Sequence, residues 1–366
     1  MKCIGCGAEL QNTNTTGPGY TPRKQFSDDE LCKRCYRLIH HNESPDSHYT
    51  NEDFLNILKQ VEAEDCLVIY LLDFFDFIGS NIAEVERVIQ NKDHIIVANK
   101  IDLMPKAVKE KKLRQWFLNE VTKRDFDPLE VMLISAKKKR NIDELLNVID
   151  EHRNGRNVYV VGATNTGKST LINGIISAVT GDSREVITTS YFAGTTLNTI
   201  QIPFEDGTFL VDTPGIINEH QITNYLGKES LDIIVAKDEI RPETYQLNPE
   251  QVLFITGLVR MRYLSGPRTS FTLYFSNRVN VHRAKLEREP ELVEDHLGRD
   301  FLAPPTEQEL ENITSFESQE FTLFAGKQDI VIEGFGWITL NDIEDDVTIE
   351  IVYPEKTRVH IRDSII

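Results

Sequence analysis

Long apolar runs are what this chain of 366 residues has least of. Its longest strongly apolar stretch, near Cys66 to Leu72, falls far short of the roughly 20 residues that a helix needs to span a bilayer. The opening Met1-Lys2-Cys3-Ile4-Gly5-Cys6 lacks an apolar core of signal-peptide length. Neither a membrane nor export is expected, and the cytoplasm is the expected compartment. Positive charge is also short: 40 Lys and Arg face 58 Asp and Glu, a net charge of -18. That balance excludes nucleic-acid binding by overall attraction, because phosphate contacts need positive potential where they occur. Internal repeats and low-complexity tracts are missing too. What remains, 40% apolar and 27% charged residues, is a globular composition with length for two or three domains.

Three regions differ in texture. Residues 1–50 are rich in Cys, Gly and Thr and end in the polar stretch His40 to Asp46, which predicts a small metal-stapled module and a linker. From Asn51 the pattern turns α/β. Phe54, Leu55, Leu58 and Val61 share a helical face, Cys66 to Leu72 reads as a buried strand, and Asp73 to Asp76 would cap its carboxyl end. Strand-like runs at 94–98, 131–134 and 158–161 alternate with helical patterns at 82–89, 113–121 and 142–149, implying a parallel, doubly wound sheet. This second domain is expected over 51–225. Beyond a helix predicted over 225–235, runs such as Val252-Ile255, Phe271-Phe275, Phe321-Phe324 and Val347-Val352 predict an α+β or β-rich domain over 226–366, with an acidic helix-prone insert around 287–311.

Every candidate ligand loop falls at the carboxyl end of a predicted strand, where such sheets bind ligands. Gly162-Ala163-Thr164-Asn165-Thr166-Gly167-Lys168-Ser169 is a complete phosphate-binding loop. Its glycines let backbone amides converge on a phosphate, and the helix from Thr170 adds its positive end. Lys168 is expected to bridge β- and γ-phosphates, and Ser169 to ligate magnesium together with Asp212 of Asp212-Thr213-Pro214-Gly215. Asn99-Lys100-Ile101-Asp102 reads guanine: the Asp102 carboxylate can accept from N1 and the exocyclic amine, which adenine does not offer in that arrangement. Ser135-Ala136-Lys137 closes over the base, while Asn99 and Lys100 brace neighbouring loops. The order is unusual. The two base-reading motifs precede the phosphate loop, whereas in ordinary GTPases they follow it, so a circularly permuted GTPase domain is expected. Its chain then leaves the domain soon after Asp212-Gly215, the segment that senses the γ-phosphate.

Between loop and Asp212, Gly194-Thr195-Thr196 supplies a switch threonine, and Thr196 is the expected magnesium and γ-phosphate contact. The residue after Gly215 is Ile216, which lacks the amide by which glutamine orients an attacking water in many small GTPases. Asn165 either binds a potassium ion that neutralises charge between β- and γ-phosphates or merely caps the loop. Lys168, Asn165, Thr196, Asp212 and Gly215 form the expected catalytic set.

Cys3-X2-Cys6 and Cys32-X2-Cys35 have the spacing of a tetrahedral zinc site, with a redox pair as the alternative. Between Leu258 and Arg288, seven basic residues (Arg260, Arg262, Arg268, Arg278, Arg283, Lys285 and Arg288) stand against Glu287 alone. Tyr263, Phe271, Tyr274 and Phe275 are interleaved with them. Such a band suits RNA, by phosphate contact and base stacking, but alternate aromatics in strands also suit a core.

An N-terminal four-cysteine module, the permuted motif order and a separate C-terminal domain together resemble the YqeH family, over essentially the whole chain. The resemblance implies a GTP-hydrolysing switch in assembly of the small (30S) ribosomal subunit, meeting its rRNA or a ribosomal protein; separately, the chain is expected to be monomeric when free. Its cofactors would be GTP or GDP, magnesium, zinc and potassium. Leu197-Asn198 stands where many such GTPases carry Arg-Asp. Rival readings are a nucleotide-binding scaffold with little hydrolysis and a tRNA-modifying or metabolic GTPase.

Overall fold

A computed structural model describes residues 9–14, 19–22, 32–33, 51–124, 126–180, 192–193, 200–324, 326–343 and 345–366. Two compact units divide the chain: Met1–Ile101 with Leu118–Asn218, and Asp102–Phe117 with Glu219–Ile366. Among the described residues no helix is long and apolar enough to cross a membrane.

In the first unit, helices α1 (Asn51–Ala63) and α2 (Ala83–Ile89) flank strand β1 (Cys66–Asp73), which is followed by β2 (His94–Asn99). After α3 (Glu110–Thr122), which belongs to the second unit up to Phe117, come β3 (Glu130–Leu133), α4 (Ile142–Arg153), β4 (Asn157–Val161), α5 (Lys168–Thr180), β5 (Phe192–Ala193), β6 (Ile200–Pro203) and β7 (Phe209–Asp212). The sheet order is β3-β2-β1-β4-β7-β6-β5. Strands β3 through β7 in that order run parallel, while β6 and β5 turn antiparallel. Every residue of β1 is buried, as an unbroken apolar run requires when a strand is covered on both faces. Each fully buried Leu or Ile there contributes about 1.5–3 kcal/mol relative to exposure. The parallel arrangement brings the carboxyl ends of β1, β2, β4 and β7 to one edge, and the loops discussed below all leave from it. Helix α4 stops at Asn154, whose left-handed backbone (φ 49°) is the conformation that commonly ends a helix.

The second unit is β-rich, which decides between the two predicted textures. Its helical pieces are α6 (Lys228–Ile234), α7 (Glu289–His296) and α8 (Glu307–Leu310), and its strands are β8 (Glu243–Leu247), β9 (Gln251–Ile255), β10 (Val259–Ser265), β11 (Thr269–Tyr274), β12 (Val281–Lys285), β13 (Phe316–Leu323), β14 (Gly326–Ile332), β15 (Gly336–Ile343), β16 (Val347–Pro354) and β17 (Val359–Asp363). Two antiparallel sheets result, ordered β12-β9-β10-β16-β13 and β17-β14-β15-β11-β8. They share one core: Leu253, Met261 and Ile349 from the first meet Phe271, Ile330 and Ile338 from the second.

Candidate nucleotide site

Asn99 ties the site together. It ends β2, is 2% exposed, and donates its amide Nδ2 to the Thr166 carbonyl at 2.8 Å while its Oδ1 accepts from Ala136 N at 2.9 Å. One side chain thus fastens the phosphate loop and the 135–137 loop to the same strand end. Gly167 between them has φ 91°, and a Cβ there would lie 2.4 Å from Asn99 Nδ2, so only glycine admits this bridge. The 135–137 loop closes on itself through Ser135 N to Arg140 O at 3.2 Å and Lys138 N to Ser135 Oγ at 3.0 Å. Ser135 and Ala136 are buried and Lys137 is exposed. Asp102 is half-buried in a short 3-10 turn, Ile101–Leu103, directly after Lys100.

The phosphate loop runs from β4 into α5, whose first turn carries Lys168, Ser169 and Thr170. Thr166 Oγ1 donates to Ala163 O at 2.9 Å, and Asn165 is exposed at φ 63°. The Lys168 ammonium is buried and donates to the carbonyls of Gly162 (2.9 Å) and Ala163 (2.7 Å). Burial pushes its pKa down to about 8 against the pull of the Asp212 carboxylate. Burial likewise raises Asp212 to about 6, opposed by Lys168. Asp212, at the end of β7, keeps Oδ1 buried with no hydrogen-bond partner among the described residues. A buried carboxylate oxygen of that kind, close enough to Lys168 in the first turn of α5 for the two charges to act on each other, is a hard donor that suits magnesium.

Gly215 lies against the loop: a Cβ there would sit 2.8 Å from Lys168 Nζ. Ile216 is buried and pairs with the loop backbone, its carbonyl accepting from Thr164 N at 2.7 Å and its amide donating to Gly162 O at 3.3 Å. The segment after Asp212 is thereby stitched to the phosphate loop. Gly194 to Thr196, like Cys3, Cys6 and Cys35, lie outside the described residues; Cys32 is buried.

One residue that motif reading passed over belongs here. Asp73, which motif reading took only as part of the β1 end, accepts from Lys100 Nζ at 2.5 Å. The signal available was a carboxylate closing an apolar strand, a pattern too common to single it out.

The basic band reads differently in three dimensions. Tyr263, Phe271, Tyr274 and Phe275 are buried, with Tyr263 edge-on to Phe271 at 5.3 Å and Tyr274 stacked on Trp337 at 4.9 Å. They build the core and offer no stacking platform. Arg260 lies 2.9 Å from Glu289, and Arg262 pairs with Glu289 and Glu350 at 2.7 Å. Arg278 meets Asp232 at 2.6 Å. The cleft of about 450 Å³ that Arg260 and Arg262 line with Leu264, Glu289 and Glu350 is already neutralised from within.

Comparison with known proteins agrees with this architecture. Residues 268–365 match a family model described as YqeH-like, C-terminal, and residues 157–251 match one described as 50S ribosome-binding GTPase. The Bacillus subtilis (strain 168) protein YqeH is 42% identical over 365 residues, covering 100% of this chain and 99% of that one. NO-associated protein 1 of Arabidopsis thaliana is 25% identical over 429 residues, covering 99% of this chain and 76% of that one. Among solved structures, GNP-bound YlqF from T. maritima is 20% identical over 49% of this chain and 63% of that one, at a TM-score of 0.31.

Proposed function

Because the chain belongs to the YqeH family of GTPases, we propose that it is a magnesium-dependent GTP hydrolase serving as a molecular switch in assembly of the small (30S) ribosomal subunit in the cytoplasm. The observation that carries the nucleotide part is Asn99, which joins the phosphate loop to the 135–137 loop on one strand end. Asp102, Ser135, Ala136 and Lys137 would hold guanine. Gly162, Thr166, Gly167, Lys168 and Thr170 would hold the phosphates through loop amides, the ammonium and the helix end. Ser169, Thr196 and Asp212 would hold magnesium, which when bound neutralises charge on the β- and γ-phosphates. Lys168 would exchange its two carbonyl contacts for phosphate oxygens when nucleotide binds, a gain that would grow with charge in the transition state. Asn165 stands at the loop's exposed turn and is the proposed potassium ligand.

Ile216, buried where a water-orienting glutamine would stand, favours slow hydrolysis until the partner binds, and supports the scaffold reading if none occurs. GTP turnover by the full chain, in potassium and in sodium, with and without small-subunit particles, separates the two. The proposal expects turnover raised by potassium and by particles, and abolished in Lys168→Ala; turnover indifferent to all three supports a scaffold. Exchange of Asp102→Asn is expected to shift preference from guanine to xanthine nucleotides. The partner is rRNA or a ribosomal protein, and the internal pairing of Arg260 and Arg262 leans toward the protein. We also propose that Cys3, Cys6, Cys32 and Cys35 hold a structural zinc, which metal analysis of the purified chain tests at one zinc per chain.

A further inference from the structure

Asp73 ends the central strand β1 and stands in register with Asn99 of β2. Its carboxylate works in two directions. Oδ1 accepts from the amides of Phe75 (2.9 Å) and Asp76 (3.3 Å), which closes the turn leaving the strand. Oδ2 takes the Lys100 ammonium at 2.5 Å, in a pair whose side chains are only 11% and 22% exposed. Lys100 needs such a hold. Its backbone has φ 69°, a left-handed conformation that side-chain-bearing residues adopt at a cost and keep only where surroundings over-determine it. The turn itself is anchored from several sides: Phe74 N donates to Asn99 O at 2.8 Å, Asp73 N to Ser80 Oγ at 3.0 Å, and Asn218 Nδ2 to Gly79 O at 2.9 Å. The anchored turn therefore aims one charged oxygen at Lys100, the residue between Asn99, which braces the loops, and the 3-10 turn that carries Asp102.

We propose that Asp73 is a positioning residue of the nucleotide site: its carboxylate fixes Lys100, and through it the backbone of the 99–102 loop, in the geometry that receives the base. Lys100 is thereby ordered before the nucleotide arrives, so its entropy is not lost on binding. The inference rests on the guanine-nucleotide reading above and touches only the base side. Phosphate contacts made by the Gly162 to Ser169 loop do not pass through Asp73.

The test uses the full chain, fluorescent GDP as the probe and inorganic pyrophosphate as a competitor lacking the base. Asp73→Asn keeps an oxygen for the Phe75 and Asp76 amides while removing the charge, and Lys100→Met removes the partner without touching the turn. Each single variant is expected to weaken GDP about tenfold, the scale of one lost charged contact, with pyrophosphate binding unchanged. The double variant is expected to lose no more than the worse single one, because both delete the same interaction. Wild-type GDP affinity in Asp73→Asn, or losses that multiply in the double variant, overturn the proposal. If Asp73→Asn loses pyrophosphate as well, its fold has failed and Lys100→Met decides alone: unchanged GDP affinity there overturns the proposal. A wild-type chain that binds no GDP overturns the nucleotide reading instead.

Discussion

Two side chains carry predictions that separate function from packing. Asn99→Ala unfastens both loops at once and leaves the Ala136 amide and Thr166 carbonyl without their partner. GDP binding is then expected to weaken by about 2 kcal/mol, roughly thirtyfold, which equilibrium titration reads directly. Arg262→Glu is expected to act on stability. It places a like charge against Glu289, which is only 5% exposed and already engages both Arg260 and Arg262. Arg262 itself is 28% exposed, so the loss is that of charged hydrogen bonds, about 1.5–3 kcal/mol, and not that of a fully buried pair; denaturant unfolding of the second unit moves to a lower midpoint, and an unchanged midpoint contradicts the ion-pair reading. At this scale a motif of fixed spacing, as in 99–102 and 162–169, can be picked out in the sequence, and the structure joins the two through Asn99 and Thr166. The sequence was illegible at Asp73, whose partner lies 27 positions away and is set by strand register. The pairing of Arg262 with Glu350, 88 positions on, was hidden for the same reason.

Elements were legible in proportion to how local their determinants are. The buried runs of β1, β2 and β4 and the helical faces between them follow from periodicity. The two five-stranded sheets do not, because β10 finds β16 and β11 finds β15 across long separations that apolar alternation does not encode. The predicted helix over 225–235 divides instead: a 3-10 turn, Ile222–Tyr225, precedes α6. Glu309 explains how α6 starts. From α8 its carboxylate accepts from Gly227 N at 2.6 Å and Ser230 Oγ at 2.7 Å, while completing a capping box with Thr306. Burial works to raise the Glu309 pKa, but the donations from Thr306, Ser230 and Gly227 outweigh it and hold the group below its ordinary value. A carboxyl depressed in the folded state stabilises above its unfolded pKa and loses that contribution as pH falls through the folded one. Glu309→Gln is therefore expected to be about 2 kcal/mol less stable at neutral pH, with the gap closing as pH drops through the carboxylate range. A gap independent of pH contradicts the assignment.

For the whole molecule, the order of motifs matters more than any one of them. The chain passes from the 99–102 and 135–137 loops through the 162–169 loop to Asp212-Gly215 and then into the second unit. Ile216 is paired with the phosphate loop, so the exit from the first unit begins at a backbone in contact with Gly162 and Thr164. Under the proposed switch, a γ-phosphate that moves this segment would bias the region that follows, and by linkage a partner held there would change GTP affinity by the same factor. The direct measurement is the affinity of the full chain for purified small-subunit particles, with a non-hydrolysable GTP analogue and with GDP, at one fixed salt concentration because phosphate contacts depend on salt. A switch predicts tighter binding in the analogue state, by roughly 5- to 150-fold for a coupling of about 1–3 kcal/mol; equal affinities in the two states would contradict it.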